Sequence, residues 1–94
     1  MSRLNKVIMA GKVSGKPMLF NDTINTPVCL FKLRLDNGWV NCLTRYGLAK
    51  ICKNYLKAGR LVAIDGSYEL IGGRSMFTVE NLQLLDQKLF TGAK

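Results

Sequence analysis

The chain has 94 residues, 48% hydrophobic and 21% charged, which is the composition of one globular domain rather than of two domains or a disordered segment. Its apolar runs, such as Val7–Ala10 and Leu61–Ile64, are far shorter than the roughly 20 residues of a membrane span, and no apolar stretch of signal-peptide length begins the sequence, so we expect a cytoplasmic protein without a membrane partner. The net charge of +8 favours a polyanionic partner, the alternative being solubility through self-repulsion.

The first two strands are predicted from apolar periodicity. Lys6–Val13 forms the first strand and ends at the turn residues 14–17, and residues 18–27, rich in Asn, Asp and Thr, predict a loop with at most a short strand start. Val28–Leu35 alternates clearly, which predicts a second strand with one face on the core and one basic face outside. The apolar face consists of Cys29, Phe31, Leu33 and Leu35, and the opposite face of Leu30, Lys32 and Arg34.

A hairpin and a helix follow. The turn 36–38 (Asp-Asn-Gly) predicts a tight hairpin, because an Asn-Gly pair tolerates positive φ at both central positions, and Trp39–Thr44 is the return strand. After the return strand, the apolar residues recur with the spacing of an amphipathic helix. Thr44 is a candidate N-cap of this helix, and Gly59 is the expected left-handed residue after its C-terminal end. Its predicted apolar stripe consists of Leu48, Ile51, Cys52, Tyr55 and Leu56.

The last two strands complete the predicted domain. Leu61–Tyr68 forms the fourth strand, Gly72-Gly73 a second hairpin turn, and Arg74–Leu85 a fifth strand that bends near Glu80-Asn81. Five strands with one helix between the third and the fourth predict an all-β OB-fold, a Greek-key barrel, over residues 1–86, followed by a short tail over 87–94. The predicted core includes Phe31, Leu33, Ile51 and Phe77.

The side chains available for chemistry are few. Cys29, Cys42 and Cys52 are odd in number and widely spaced, so we expect buried free thiols, and the chain has no histidine and no C-x-x-C pair. General acid–base catalysis and metal catalysis therefore lack their usual groups. The carboxylates Asp65 and Glu69 lie around the end of a strand, and such a pair is too common to indicate a catalytic site. We expect no enzymatic activity, no metal and no cofactor.

Five segments, in the right order, resemble those of the bacterial single-stranded DNA-binding protein family. They are NKVIMAG (5–11), WVNCL with LAK (39–43 and 48–50), YLKAG (55–59), VAIDG (62–66) and ENLQLL (80–85), so the resemblance covers roughly residues 4–86. It implies an OB-fold, non-sequence-specific binding of single-stranded DNA in replication, recombination or repair at the bacterial nucleoid, and a homo-oligomer. The oligomer is most often a tetramer in the family, and a dimer in PriB-like primosomal relatives.

The sequence departs from the family pattern at four places. The turn 36–38 replaces a long loop, and Arg45 stands where an aromatic residue commonly precedes the helix, with Tyr46 one place later. The stacking aromatic often found in the family on the hairpin after the fourth strand has no clear equivalent near Leu70 and Ile71. The last residues of the sequence, LFTGAK (89–94), do not resemble the acidic, Phe-bearing tail tip of the family. Three interpretations of the chain therefore remain open: a shortened member of the family, a binding domain alone, or a PriB-like relative.

A binder of single strands needs a basic groove for phosphates and aromatic faces for bases. The resemblance assigns the stacking role to Trp39, which otherwise would be a partly buried core residue. The basic candidate residues named below could instead be ordinary solvated charges, and Tyr68 could simply pack against the sheet. The helix lysines 50, 53 and 57 are predicted to form a solvated face. The candidate nucleic-acid-binding residues are Lys6, Lys12, Lys32, Arg34, Trp39, Arg45, Tyr46, Tyr68 and Arg74.

Two other functions fit the same residues. One is a PriB-like accessory replication protein that acts mainly by docking partner proteins, which the loss of the long loop favours. The other is an RNA-binding OB domain of cold-shock type, because stacking and phosphate contacts do not distinguish the sugars without a contact to the 2′-hydroxyl. The expected partners are single-stranded DNA, replication proteins and further copies of the chain, for which the free edge of the first strand is a candidate interface.

Overall fold

The computed structural model describes residues 6–85, so the predicted tail lies outside the described residues. The strands close into a barrel in the order β1-β2-β3-β5-β4, with all neighbours antiparallel except β3 and β5. This arrangement, with the helix between the third and fourth strands, confirms the predicted OB-fold. The elements are β1 (Val7–Asn21), β2 (Pro27–Leu35), β3 (Gly38–Arg45), α1 (Tyr46–Tyr55), β4 (Leu61–Ile71) and β5 (Arg74–Leu84).

The first strand is longer than predicted. It pairs with β4 over Val7–Lys12 and with β2 over Lys12–Asn21, with a register shift in the middle of the second ladder. Gly15 lies in this irregular stretch with a φ of 78°, a conformation that glycine adopts without steric cost, so the strand bends there and continues. The predicted strand end at 14–17 is therefore wrong, as is the predicted loop for residues 18–21.

Both hairpins form where they were predicted. Gly72 and Gly73 have φ values of 61° and 81°, the geometry that a tight two-residue turn requires. In the first hairpin Leu35 pairs with Gly38, but the positive φ falls on Gly38 (152°) and not on Asn37, which corrects the predicted turn geometry. The predicted bend of β5 is confirmed, because Glu80 is an extra residue between two residues that pair with consecutive positions of β4.

The helix does not begin or end at the predicted residues, although Gly59 has the predicted left-handed backbone, with a φ of 90°. α1 begins at Tyr46, and its N-cap Arg45 makes no side-chain capping hydrogen bond. Thr44 is fully buried instead, and its hydroxyl donates to the carbonyl oxygen of Cys29, its partner on β2, at 3.2 Å. At the other end the cap residue is extended, and Gly59 lies in the following turn, where its N–H donates to the Val13 carbonyl.

The buried face of α1 is narrower than its apolar stripe. Ala49, Cys52 and Leu56 are buried and recur at i, i+3 and i+7, which defines one face. Ile51 and Tyr55, each one residue before a buried position and so rotated by about 100° from it, are 48% and 52% exposed. The prediction of Ile51 as a core residue is therefore wrong.

The remaining core predictions are confirmed. Phe31, Leu33 and Phe77 are buried inside the barrel, and the three cysteines are buried free thiols among them. Burial raises the pKa of Cys42 to about 12 and that of Cys52 to about 11. Within residues 6–85 there is no helix of the length and apolar character needed to cross a membrane.

Candidate nucleic-acid interface

The outer face of β2 presents two cations to the exposed tryptophan of β3. The strand register sets Lys12 of β1 beside Arg34, Arg34 beside Trp39, and Lys32 beside Asn41. Trp39 is 58% exposed, and the Lys32 Nζ and the Arg34 Cζ lie 5.7 Å and 5.6 Å from its ring centroid. These are cation–π distances, so the charges orient the ring while it stays accessible to solvent. The structure thus brings together four of the predicted residues at one end of this face.

A cleft of about 580 Å³ continues along the same face. It lies over β2 and β3, between the bent part of β1 and the β4–β5 hairpin, which is where OB-folds bind oligonucleotides. Four basic residues line it, Lys16, Lys32, Arg45 and Arg74, and its one acidic lining residue is Asp22. The predicted residues Arg45 and Arg74 therefore share one cleft with Lys32, and Lys16 adds a cation that sequence reasoning missed.

The cleft also has apolar side chains that the sequence interpretation missed. Met18, Phe20 and Met76 line it, and Phe20 is 42% exposed, which offers an aromatic surface of the kind on which bases stack. Residues 18–27 were predicted as a loop, so no role was assigned to Phe20. The signal that could have found it is the apolar run Met18-Leu19-Phe20 inside an otherwise polar stretch.

Arg45 and Tyr46 lie at the junction of β3 and α1. The Arg45 Nη2 is 4.0 Å from the Glu69 Oε1, and this exposed pair leaves the arginine at the edge of the cleft. Tyr46 is exposed, does not line the cleft, and has a φ of 60°, a left-handed conformation that is rare for a bulky residue and costs roughly 1–3 kcal/mol. The junction therefore holds backbone strain directly beside the basic cleft.

Two predicted residues lie away from this face. The Lys6 Nζ is 3.0 Å from the Glu80 Oε1 and 3.8 Å from the Asp65 Oδ1, and the hydrogen bond and charge of Glu80 together with the charge of Asp65 raise the pKa of Lys6. Tyr68 packs edge-on against Phe77 with ring centroids 5.1 Å apart. Neither residue lines the cleft, so their predicted roles in binding gain no support from the geometry.

Comparison with known proteins agrees with this geometry. No family model matches the sequence. The chain is 35% identical over 77 residues to a single-stranded DNA-binding protein of Caldanaerobacter subterraneus subsp. tengcongensis, a match that covers 70% of this chain and 51% of the relative. The chain thus spans about half the length of that curated relative.

Two solved structures share the fold. The SSB domain of a Synechococcus protein superimposes with a TM-score of 0.80 at 17% identity, covering 88% of this chain and 98% of that one. The single-stranded DNA-binding protein from Thermus aquaticus gives a TM-score of 0.77 at 18% identity, covering 85% of this chain and 39% of that one. At these identities the two superpositions establish the fold alone.

The closed barrel defines an OB-fold domain, and its outer face carries the basic and aromatic side chains that nucleic-acid binding requires. The sequence match then narrows the class. The chain is similar to a single-stranded DNA-binding protein over 70% of its length, which confirms the resemblance identified from its segments.

Proposed function

We propose that this protein binds single-stranded DNA without strong sequence preference, along the outer face of β2 and β3. The observation that carries the proposal is the exposed Trp39 ring, with Lys32 and Arg34 at cation–π distance and Lys32 also lining a cleft with three further basic residues. A base stacked on an aromatic ring contributes about 1–3 kcal/mol, and neighbouring lysines and arginines neutralise phosphates. Neither contact depends on base identity, which supports binding without sequence preference.

The dimensions of the face suit an extended strand. From Trp39 to Arg45 the outer side of β3 measures about 20 Å at the rise of a β-strand, and cations border it at both ends. Several nucleotides can therefore lie along it at once, with bases on Trp39 and Phe20 and phosphates on the basic residues. Coating or bridging DNA in this way is stoichiometric and needs no catalytic group or cofactor. We infer a role in protecting or organising single strands in replication, recombination or repair, in the cytoplasm at the nucleoid.

Self-association through the first strand stays a prediction. Within the described part of the chain the register pairs Val7–Gly11 with β4 alone, so the other edge of this segment has no strand partner there. Ile8 is 77% exposed in the same segment, and an unpaired edge with an exposed apolar side chain favours association. Light scattering at several concentrations distinguishes a monomer from the predicted dimer or tetramer. Docking of replication proteins likewise stays a prediction.

The direct test is a fluorescence titration with oligothymidylate at low and moderate salt. Trp39 is the one tryptophan of the chain, so the signal reports on the proposed stacking site. We expect saturable quenching that weakens with salt and is absent with duplex DNA. Flat fluorescence together with flat anisotropy at low salt would contradict the proposal and favour the protein-docking alternative. Equal or tighter binding of an RNA strand of the same length would favour the RNA-binding alternative.

A further inference from the structure

A second cleft, of about 410 Å³, lies between the bend of β1 and the end of α1. Three lysines line it, Lys16 from β1 and Lys53 and Lys57 from the end of the helix, and none of its lining residues is acidic. Among residues 6–85, none of the three lies within ion-pair distance of a carboxylate. The helix lysines 53 and 57 are exposed, as the sequence predicted, and they also line a basic cleft.

Lys16 connects the two clefts. It lines the first cleft with Lys32, Arg45 and Arg74, and the second with the two helix lysines. The bend at Gly15 is what allows this, because it carries the strand out of the first ladder register and leaves the adjacent lysine between the two depressions. A basic surface thus continues from the β2–β3 face around the bend to the end of the helix.

We propose that a DNA strand longer than the first cleft continues past Lys16 into the second cleft, where Lys53 and Lys57 bind its phosphates. This proposal rests on the proposed function and extends its binding surface to a second element of the fold. Pro17, Leu56 and Ala58 line the second cleft with apolar atoms, which can contact sugars or bases while the lysines contact phosphates.

The helix dipole opposes this path but does not outweigh the lysines. The end of α1 carries about half a negative charge, which disfavours a phosphate, whereas Lys53 and Lys57 bring two positive charges to the same end. An acidic peptide would meet the same charges. A nucleic acid is the better occupant because the second cleft shares Lys16 with the first, and only a ligand that follows both clefts makes use of that continuity.

The test compares oligothymidylates of about 6 and about 16 nucleotides, which span the site sizes of single OB-folds. The variant is Lys53→Ala with Lys57→Ala, and the control is Lys50→Ala, an exposed lysine of the same helix that lines neither cleft. We expect the variant to bind the short strand like the wild type. For the long strand, the loss of two phosphate contacts makes the slope of log affinity against log salt about 1.4 less steep in the variant than in the wild type. The ratio of wild-type to variant affinity is therefore about 25-fold larger at 0.1 M salt than at 1 M salt.

Each other outcome overturns the proposal in a distinguishable way. Unchanged long-strand binding in the double variant refutes the second cleft while leaving the proposed function intact. A change of half that size or more in the salt slope with Lys50→Ala, which removes one charge instead of two, reduces the effect to net charge and refutes the defined path. If the double variant keeps long-strand binding but loses affinity for a polyglutamate peptide, the cleft is a protein-docking site. If the wild type binds neither strand, the proposed function itself fails. Circular dichroism on every variant establishes that the fold is intact.

Discussion

Gly66 is the position where a single methyl group should cause the greatest damage to this barrel. A Cβ at this residue would overlap the carbonyl oxygen of Thr78 and lie 2.9 Å from its carbonyl carbon and 3.1 Å from the Val79 Cα. All three atoms belong to the backbone of β5, so no side-chain rotation can relieve the contact. We therefore expect Gly66→Ala to displace the strand itself.

The magnitude follows from what that stretch of β5 holds together. Thr78 pairs with Ser67 of β4 and with Leu43 of β3, and the ladder between β3 and β5 consists of two register pairs, of which this is one. Overpacking a core typically costs about 1–3 kcal/mol, and a shift at the shortest ladder of the barrel belongs at the upper end. A loss of about 3 kcal/mol lowers the Tm of a domain of this size by about 12–24 °C.

Thermal and urea unfolding followed by circular dichroism measure this loss. Gly47→Ala is the matched control, because a Cβ at Gly47 meets nothing within 4 Å. We expect the control to unfold within about 1 kcal/mol of the wild type. If the Gly66 variant unfolds at the same temperature as the control, the close approach of β4 and β5 does not constrain the barrel and our reasoning is refuted.

Three further predictions concern single side chains. Trp39→Ala should weaken oligothymidylate binding by about 5- to 150-fold in anisotropy titrations. Tyr55→Ala, a similarly exposed aromatic on α1 instead of on the β2–β3 face, should not, and equal effects would contradict a stacking role. Tyr46→Gly should be about 1 kcal/mol more stable to urea than Tyr46→Ala, because glycine accepts the φ of 60°, and equal stabilities would argue against strain. In reducing buffer the free energy of unfolding should fall once the pH rises above the ordinary pKa of a thiol. The raised pKa values of Cys42 and Cys52 keep both thiols protonated in the folded state, whereas the unfolded chain releases their protons. The loss approaches about 1.4 kcal/mol per pH unit for each thiol, and a flat profile from about pH 7 to about pH 10 would contradict it.

The parts of the fold that were predictable from the sequence are those with local signals. The alternation of Val28–Leu35 depends only on its own residues, and it correctly assigned both the core face and the basic face. Gly72-Gly73 determines its turn through backbone conformations that few other residues adopt. With these hairpins and the one helical period in place, the order of elements was sufficient to identify the barrel.

The parts that were not predictable depend on distant partners. Residues 14–17 carry the turn signals of a strand end, yet β1 continues because residues 18–21 find hydrogen-bond partners on β2. Phe20 entered the candidate site only through that pairing. Thr44 has the residue type of a helix cap, but inside the closed barrel its hydroxyl satisfies the Cys29 carbonyl instead. In each case a contact between strands overrode the local preference.

The parallel ladder between β3 and β5 also has a consequence for how the protein folds. The β2–β3 and β4–β5 hairpins join neighbouring residues and can each zip within microseconds. The ladder that connects them must close a loop containing the whole helix and the fourth strand, and β1 joins β4 from the opposite end of the described chain. Folding should therefore be limited by the docking of two preformed ribbons, on the scale of about milliseconds to seconds that non-local β-topologies show.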